Sequence, residues 1–164
     1  MFLLISTFTN THFSVAVGEK SIARFKIVKK EYSQSALLLK TIHQLLANQR
    51  INKSTHSTLS TSLRAIFVVQ GPGAFSALRI GIATANALAF ALQIPVVGIK
   101  LEQEWLALTE EERLEKVWSA AVKLLDNLPA QAGQTTGKPD NQFVSPFYGM
   151  EPHITMKKDK KIKK

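Results

Sequence analysis

Residues 65–99 read AIFVVQGPGAFSALRIGIATANALAFALQIPVVGI, and this stretch decides the fold class. Ile66, Phe67, Val68 and Val69 form a short run of β-branched and aromatic residues, the pattern of a strand covered on both faces. Gly71-Pro72-Gly73 ends the run, because Pro72 has no N–H for a ladder and the glycines take up positive φ freely. From Ala74 to Leu92 nothing interrupts a helix. Gln93-Ile94-Pro95 stops it, since a proline disfavours the helical region for the residue before it. Val96, Val97 and Gly98 then read as a second strand. Strand, crossover helix and parallel strand in this order predict a βαβ unit and an α/β fold.

The helix carries a stripe of small residues. Ala77, Gly81, Ala85 and Ala89 fall four apart on one face, with Leu78, Ile82 and Leu92 beside them. Phe75, Ile80, Ala83, Ala87 and Phe90 cover much of the remainder, and Arg79 is the only charge between residues 74 and 92. A helix apolar nearly all round is expected to be buried nearly all round. One face goes onto the sheet. The other needs cover from a second helix of this chain or from another subunit, and the sequence leaves both open. The small stripe permits close backbone approach, so it is expected at a helix–helix interface. Gly81→Leu or Ala85→Arg should then break the association and leave the fold intact.

A single domain is the default for 164 residues, and 45% apolar residues suffice for one core. There is no cysteine, which excludes a disulfide scaffold, a thiolate metal site and a cysteine nucleophile together. Residues 1–5, MFLLI, are too short for a signal-peptide core and have no basic residue before them. Residues 74–92 come nearest to a membrane span, and Arg79, Thr84 and Asn86 argue against one. The expectation is a soluble, cytoplasmic protein without a membrane partner. The net charge is +9, of which residues 157–164 (KKDKKIKK) supply +5 and the rest of the chain +4. That tail favours nucleic acid electrostatically, but no aromatic residue lies between its lysines to stack on bases.

Taken in order, Phe2 to Ile5, Phe13 to Val17 and Ile22 to Val28 read as three strands, with a turn at Gly18-Glu19-Lys20. Residues 33–48 read as a helix, with Leu37, Leu38, Leu39, Ile42, Leu45 and Leu46 at helical spacing. Residues 50–62 are rich in Ser and Thr and read as a loop. Thr109 and Glu112 form a capping box before a helix whose apolar face is Leu114, Val117, Trp118, Ala121, Leu124, Leu125 and Leu128. Residues 129–141 read as a linker. The domain reading is therefore a lobe over 1–100, a helical segment over 101–128, a linker over 129–142 and a terminal segment with basic tail over 143–164.

Chemistry is sparse at this level. His12, His43, His56 and His153 make no H-x-x-x-H or H-E-x-x-H pair, so no metal site is expected. There is no Gly-x-Ser-x-Gly elbow. Gly71, Pro72 and Gly73 lead into a helix N-terminus, where free N–H groups and the helix dipole can hold phosphate. The turn lacks the third glycine of a dinucleotide fingerprint and the Gly-Lys-Ser/Thr of a P-loop, so a structural corner is the alternative. Neither a catalytic group nor a cofactor is expected.

Residues 71–99, GPGAFSALRIGIATANALAFALQIPVVGI, resemble the signature of the TsaB (YeaZ) family of tRNA threonylcarbamoyladenosine biosynthesis, close to GPGSFTGLRIGVATAKGLALALGIPLVGV. Gly71, Pro72, Gly73, Phe75, Leu78, Arg79, Ile80, Gly81, Ala83, Thr84 and Ala85 match as they stand, as do Leu88, Ala89, Ala91, Leu92, Ile94, Pro95, Val97 and Gly98. Ala74, Ser76, Ala77 and Asn86 depart from it. Near the other end, Pro146, Tyr148, Pro152, Ile154 and Thr155 fit the family's closing Pro-x-Tyr-x-Arg-x-Pro-x-Ile-Thr, with Met150 in place of the arginine. The resemblance implies one actin-like ATPase or ribonuclease-H-like lobe, a five-stranded mixed sheet with helices, in a short form lacking most of the second lobe. The family's first strand ends in Asp-Thr-Ser-Thr, where this chain has Ser6-Thr7-Phe8-Thr9. The missing aspartate counts against ATPase chemistry.

The resemblance further implies a non-catalytic subunit that pairs with the TsaD-type catalytic subunit, helped by a TsaE-type ATPase subunit. Together they transfer a threonylcarbamoyl group to the tRNA adenosine next to the anticodon, so this chain would meet tRNA only indirectly. Family members associate through two helices on one lobe face, with homodimers also possible. Here the interface residues would be Leu38, Ile42, Leu45, Phe75, Leu78, Arg79, Ile82, Ala77, Gly81, Ala85 and Ala89. Phe75 and Leu78 would anchor the turn end. Arg79 would cap a sheet-edge carbonyl, pair with a partner carboxylate or fix the Gly71-Pro72-Gly73 turn. Two other readings stand beside this one: a minimal nucleotide-binding phosphotransferase or glycoprotease-like peptidase, and a degenerate homodimer without a partner.

Overall fold

The structure, a computed structural model, describes residues 1–47, 63–126 and 143–149. Five strands are present: β1 (Phe2–Ser6), β2 (Phe13–Gly18), β3 (Ile22–Val28), β4 (Ala65–Gly71) and β5 (Val96–Lys100). Three helices accompany them: α1 (Gln34–Ala47), α2 (Phe75–Leu92) and α3 (Glu110–Asp126), the last preceded by a 3-10 turn over Gln103–Ala107. The strands form one sheet in the order β3-β2-β1-β4-β5. β1–β2 and β2–β3 pair antiparallel, and β1–β4 and β4–β5 pair parallel. The expected mixed five-stranded sheet and its βαβ unit are both present.

Burial explains the apolar runs. β2 is buried throughout, and β1 and β4 nearly so, because helices cover both faces of the sheet centre. On one face α2 lies over β4 and β1, while α1, in contact with α2, lies over β2 and β3. On the other face Trp118 of α3 meets Phe67 of β4 edge-on, with ring centroids 6.0 Å apart, and lies against Gly18. Residues 101–126 thus pack on the sheet built by residues 1–100.

Chain ends and turns follow from particular residues. Thr109 N–H donates to Glu112 Oε2 at 3.0 Å and Glu112 N–H donates to Thr109 Oγ1 at 3.3 Å, so the capping box forms as read. The Thr109 hydroxyl, and then its backbone N–H, hold the Glu112 carboxyl below its ordinary pKa. At the far end of α2, Gln93 is left-handed (φ 53°). Its N–H bonds to Phe90 O, and Ile94 N–H bonds to Ala89 O at 3.1 Å. That Schellman closure stops the helix ahead of Pro95. The loop read over 50–62, the linker over 129–141, the helix residues Asn48, Asn127 and Leu128, His56, His153 and the terminal pattern from Met150 onward lie outside the described residues.

Two expectations about α2 change. The helix is not buried nearly all round; only 33% of its 18 residues are buried. The buried residues are Ala77, Leu78, Gly81, Ile82, Ala85 and Ala89, so the small stripe faces the sheet rather than a partner. The cause is steric: a Cβ at Gly81 would stand 2.0 Å from Thr7 Oγ1, directly after β1. By length and hydropathy α2 could cross a membrane, and here that apolar surface serves partly to cover the sheet. Gly81→Leu is therefore expected to lower the stability of the isolated chain itself by about 3 kcal/mol, read as a shifted urea midpoint. Gly81→Ala should cost less in a Thr7→Ala background than in the native one, a coupling that a double-mutant cycle measures.

Candidate functional site

Three features gather at the C-terminal ends of β1 and β4: the Gly71-Pro72-Gly73 turn, the 143–149 segment, and a polar cluster between the β1–β2 loop and α3. The turn begins with Gly71 at φ 124° and a cis Gly71–Pro72 bond. A Cβ at Gly71 would fall 2.0 Å from Phe147 O, and one at Gly73 would fall 2.2 Å from Phe8 O. Glycine is needed at both places for close backbone approach. Ala74 N–H, at the start of α2, donates to Phe8 O at 2.7 Å, so one amide of the expected anion site already has a protein acceptor.

Residues 143–149 dock along the flank of α2 and over this turn. Phe147 N–H donates to Gln70 O at 2.8 Å, and Gln70 Nε2 donates to Ser145 O at 2.9 Å. Asn86 reads the backbone of Val144 twice: its Nδ2 donates to Val144 O at 2.9 Å and its Oδ1 accepts from Val144 N–H at 3.0 Å. Tyr148 stacks on Phe75 at 4.6 Å and accepts from Arg79 Nε at 3.0 Å, while the Arg79 guanidinium lies 3.9 Å from the Phe75 ring centre. Arg79 thus binds a segment 69 residues away in this chain. A largely apolar cavity of about 600 Å³ lies alongside, lined by Phe8, Thr9, Pro72, Gly73, Leu101, Gln103, Leu106, Phe147, Tyr148 and Gly149.

The polar cluster is absent from the sequence reading. Glu110, first residue of α3, accepts from His12 Nε2 at 2.7 Å, from Ser14 Oγ at 3.0 Å and from Arg113 Nη1. The other His12 nitrogen faces Thr11 Oγ1 at 3.0 Å and Thr9 Oγ1 at 3.2 Å. Arg113 is buried and donates to the carbonyls of Trp105, Leu106 and Leu108. Its guanidinium lies 4.9 Å from the Phe8 ring centre. An acid, an imidazole and hydroxyls converge here. Their bonds turn inward, however, and tie α3 to the β1–β2 loop. Nothing in the sequence flagged a pair 98 residues apart, and Glu110 looked like an ordinary acidic residue of a helix first turn. Among the described residues no group of three His, Cys, Asp or Glu side chains could hold a metal ion.

The expected interface residues divide sharply. Leu38, Ile42, Leu45, Ala77, Leu78, Gly81, Ile82, Ala85 and Ala89 are buried within the chain, covered by its own sheet and helices. Phe75 and Arg79 stand at the surface, joined to Tyr148.

With this geometry in view, the family model for TsaD, tRNA N6-adenosine threonylcarbamoyltransferase, matches residues 27–116. The chain belongs to that family. Its fold also matches solved structures of the YeaZ (TsaB) type, and the chain is TsaB-like. YeaZ from Pseudomonas aeruginosa aligns with a TM-score of 0.51 at 31% identity, over 60% of this chain and 43% of that one. A second structure, an uncharacterized protein with similarity to peptidase YEAZ from Pseudomonas aeruginosa, aligns with a TM-score of 0.50 at 32% identity, over 60% and 42%. Two curated relatives are named tRNA N6-adenosine threonylcarbamoyltransferase. The one from Geotalea uraniireducens is 43% identical over 56 residues, which are 34% of this chain and 16% of the relative. The one from Geotalea daltonii is 46% identical over 52 residues, 31% of this chain and 15% of the relative. The chain thus spans about one-sixth of these curated relatives and less than half of the two solved chains. The sheet is that of the actin-like, ribonuclease-H-like fold.

Asn86→Leu removes both bonds to Val144, so amide exchange at Val144 and Phe147 is expected to accelerate about tenfold, near the ~1.4 kcal/mol worth of such bonds. Glu110→Ala strands the buried Arg113 and should cost about 3 kcal/mol in urea unfolding, with Glu110→Gln milder.

Proposed function

We propose that this chain is a non-catalytic subunit of the tRNA threonylcarbamoyl-modifying system, pairing with a TsaD-type catalytic subunit through the outward face of α2. One observation carries the reading. α2 retains an apolar outer surface, with Ala83, Ala87 and Phe90 exposed and Ile80 and Leu88 half-exposed, after its small stripe has been used on the sheet. On α1, next to it, Leu39 is 58% exposed. A contiguous apolar patch of this kind on a folded domain marks a protein interface. The interface therefore shifts from the buried stripe to Leu39, Ile80, Ala83 and Ala87, with Phe75 and Arg79 at its rim.

Two further points support a scaffold role. Ser6 stands where the resembled family has an aspartate, and its neighbours Thr9, Thr11 and Ser14 spend their hydroxyls on His12 and Glu110. Among the described residues, the lining of the cavity by the glycine turn holds no carboxylate or lysine. Family membership supplies the tRNA-modifying context. The catalytic subunit, a TsaE-type ATPase and a cytoplasmic location belong to this proposal, with tRNA reached through the catalytic subunit.

Co-expression with the TsaD-type protein of the same source tests it. A stoichiometric complex is expected, and Ala83→Arg with Ala87→Glu should weaken it at least 100-fold while leaving the circular dichroism and urea midpoint of the isolated chain unchanged. A complex indifferent to those two substitutions overturns the assigned face. Absence of a complex, with a stable homodimer instead, overturns the partnership. ATP turnover by the purified chain alone would favour the enzymatic reading.

A further inference from the structure

Residues 80–99 and 143–149 contain no charged side chain, in a chain of which 20% is charged. The fold brings the two stretches together along the flank of α2, where Asn86 bonds both backbone polar groups of Val144. Burial alternates along the docked segment. Val144, Pro146 and Tyr148 are half-buried and Phe143, Ser145 and Phe147 exposed, as in an extended chain lying on a surface. The Phe143 ring comes to lie 6.4 Å from the Phe90 ring, centre to centre. Phe143 nevertheless stays 53% exposed and Phe90 64% exposed.

A ring pair that served only to staple the segment to the helix would cover both rings, and the Asn86 bonds already fix Val144 in place. Two half-bare rings in contact, on a surface from which charge is missing, instead have the composition of an interface core. Aromatic residues are enriched there and charged ones depleted. Position agrees with composition. Phe90 stands three residues beyond Ala87 and seven beyond Ala83, so it continues the apolar strip of α2 towards the C-terminal end of that helix. Phe143 then carries the same strip off the helix and onto the docked segment.

We propose that Phe143, held beside Phe90 by the Asn86–Val144 bonds, belongs to the partner-binding surface. The docked segment then supplies part of the interface, the two rings act as one anchor, and the catalytic subunit presents an uncharged apolar face to them. This rests on the partnership proposed above and adds to it a contact from outside α1 and α2.

The test measures, by titration calorimetry, the affinity of the full chain for the TsaD-type protein of the same source. Phe143→Ala and Phe90→Ala should each weaken the complex about 30-fold, the loss expected of an aromatic anchor. The double variant should lose less than the product of the two, because the rings work as a pair. Leu124→Ala, which trims an exposed apolar residue of α3 on the other face of the sheet, should change the affinity less than about twofold. In the complex, exchange of the Val144 and Phe147 amides should slow at least about tenfold, since by linkage a partner that binds the docked segment also stabilises its docking. In the isolated Phe143→Ala chain those amides should keep close to their native exchange rates, which separates a lost contact from a detached segment. If they exchange there as fast as in Asn86→Leu, Phe143 is a staple and the proposal is overturned. A complex that tolerates Phe143→Ala, or one that leaves exchange at Val144 and Phe147 unchanged, also overturns it while the partnership stands. No complex with the native chain overturns the partnership, and this surface with it.

Discussion

Thr7 and Gly81 approach so closely that a single added carbon at Gly81 would meet the Thr7 hydroxyl at 2.0 Å. That contact sets how near α2 lies to the end of β1, and much else is placed by it. With α2 so low, Ala77, Ala85 and Ala89 are all buried, and β4 packs against the helix along its length. The start of α2 is then brought to the β1–β2 loop, where Ala74 N–H meets Phe8 O. The Thr7 hydroxyl finds no hydrogen-bond partner among the described residues, so this is apolar packing achieved at some polar cost. Small residues are used where backbones must be close, and the large ones, Leu78 and Ile82, fill the spaces beside them.

The other face of the sheet is held differently. Trp118 fills the space over Phe67, and the Glu110 cluster ties the first turn of α3 to the β1–β2 loop. Arg113 is buried in the same cluster with a carboxylate and three carbonyls for company, which is how a buried guanidinium is tolerated. Polar bonding at one end and the buried stripe Leu114, Val117, Trp118 and Ala121 along the middle together fix the helix. The β1–β2 loop is therefore gripped from both sides, by α2 through Phe8 and by α3 through His12 and Ser14.

The strands and helices were legible because each has a local cause: the Ile66–Val69 run, the Gly71-Pro72-Gly73 break, the Thr109–Glu112 box. The direction in which the small stripe faces was not. Ala77, Gly81, Ala85 and Ala89 fit close approach to a sheet or to another helix equally well, and only Thr7, far earlier in the chain, decides between them. The Glu110–His12 pair was unreadable for the same reason. Asn86 had a visible signal, as a departure from the family pattern, but its meaning depended on Val144, which reaches it only through the fold. Arg79 carried three readings, and the structure joins it to Tyr148.

The docked 143–149 segment also bears on the apolar face of α2. It touches Phe75, Arg79, Asn86 and Phe90, residues that follow one another along a single line of the helix. Ala83 and Ala87 lie immediately beside that line, and Ile80 and Leu88 lie beyond them, towards α1. The segment therefore covers one margin of the helix and leaves a strip bounded on its other side by α1. A partner seated on that strip would touch the docked segment along one whole edge. Whatever loosens Val144 from Asn86 would then widen the apolar strip, and whatever fixes it would sharpen the strip's boundary. Segment and interface share the same helix, so their stabilities are linked by geometry even where no residue is common to both.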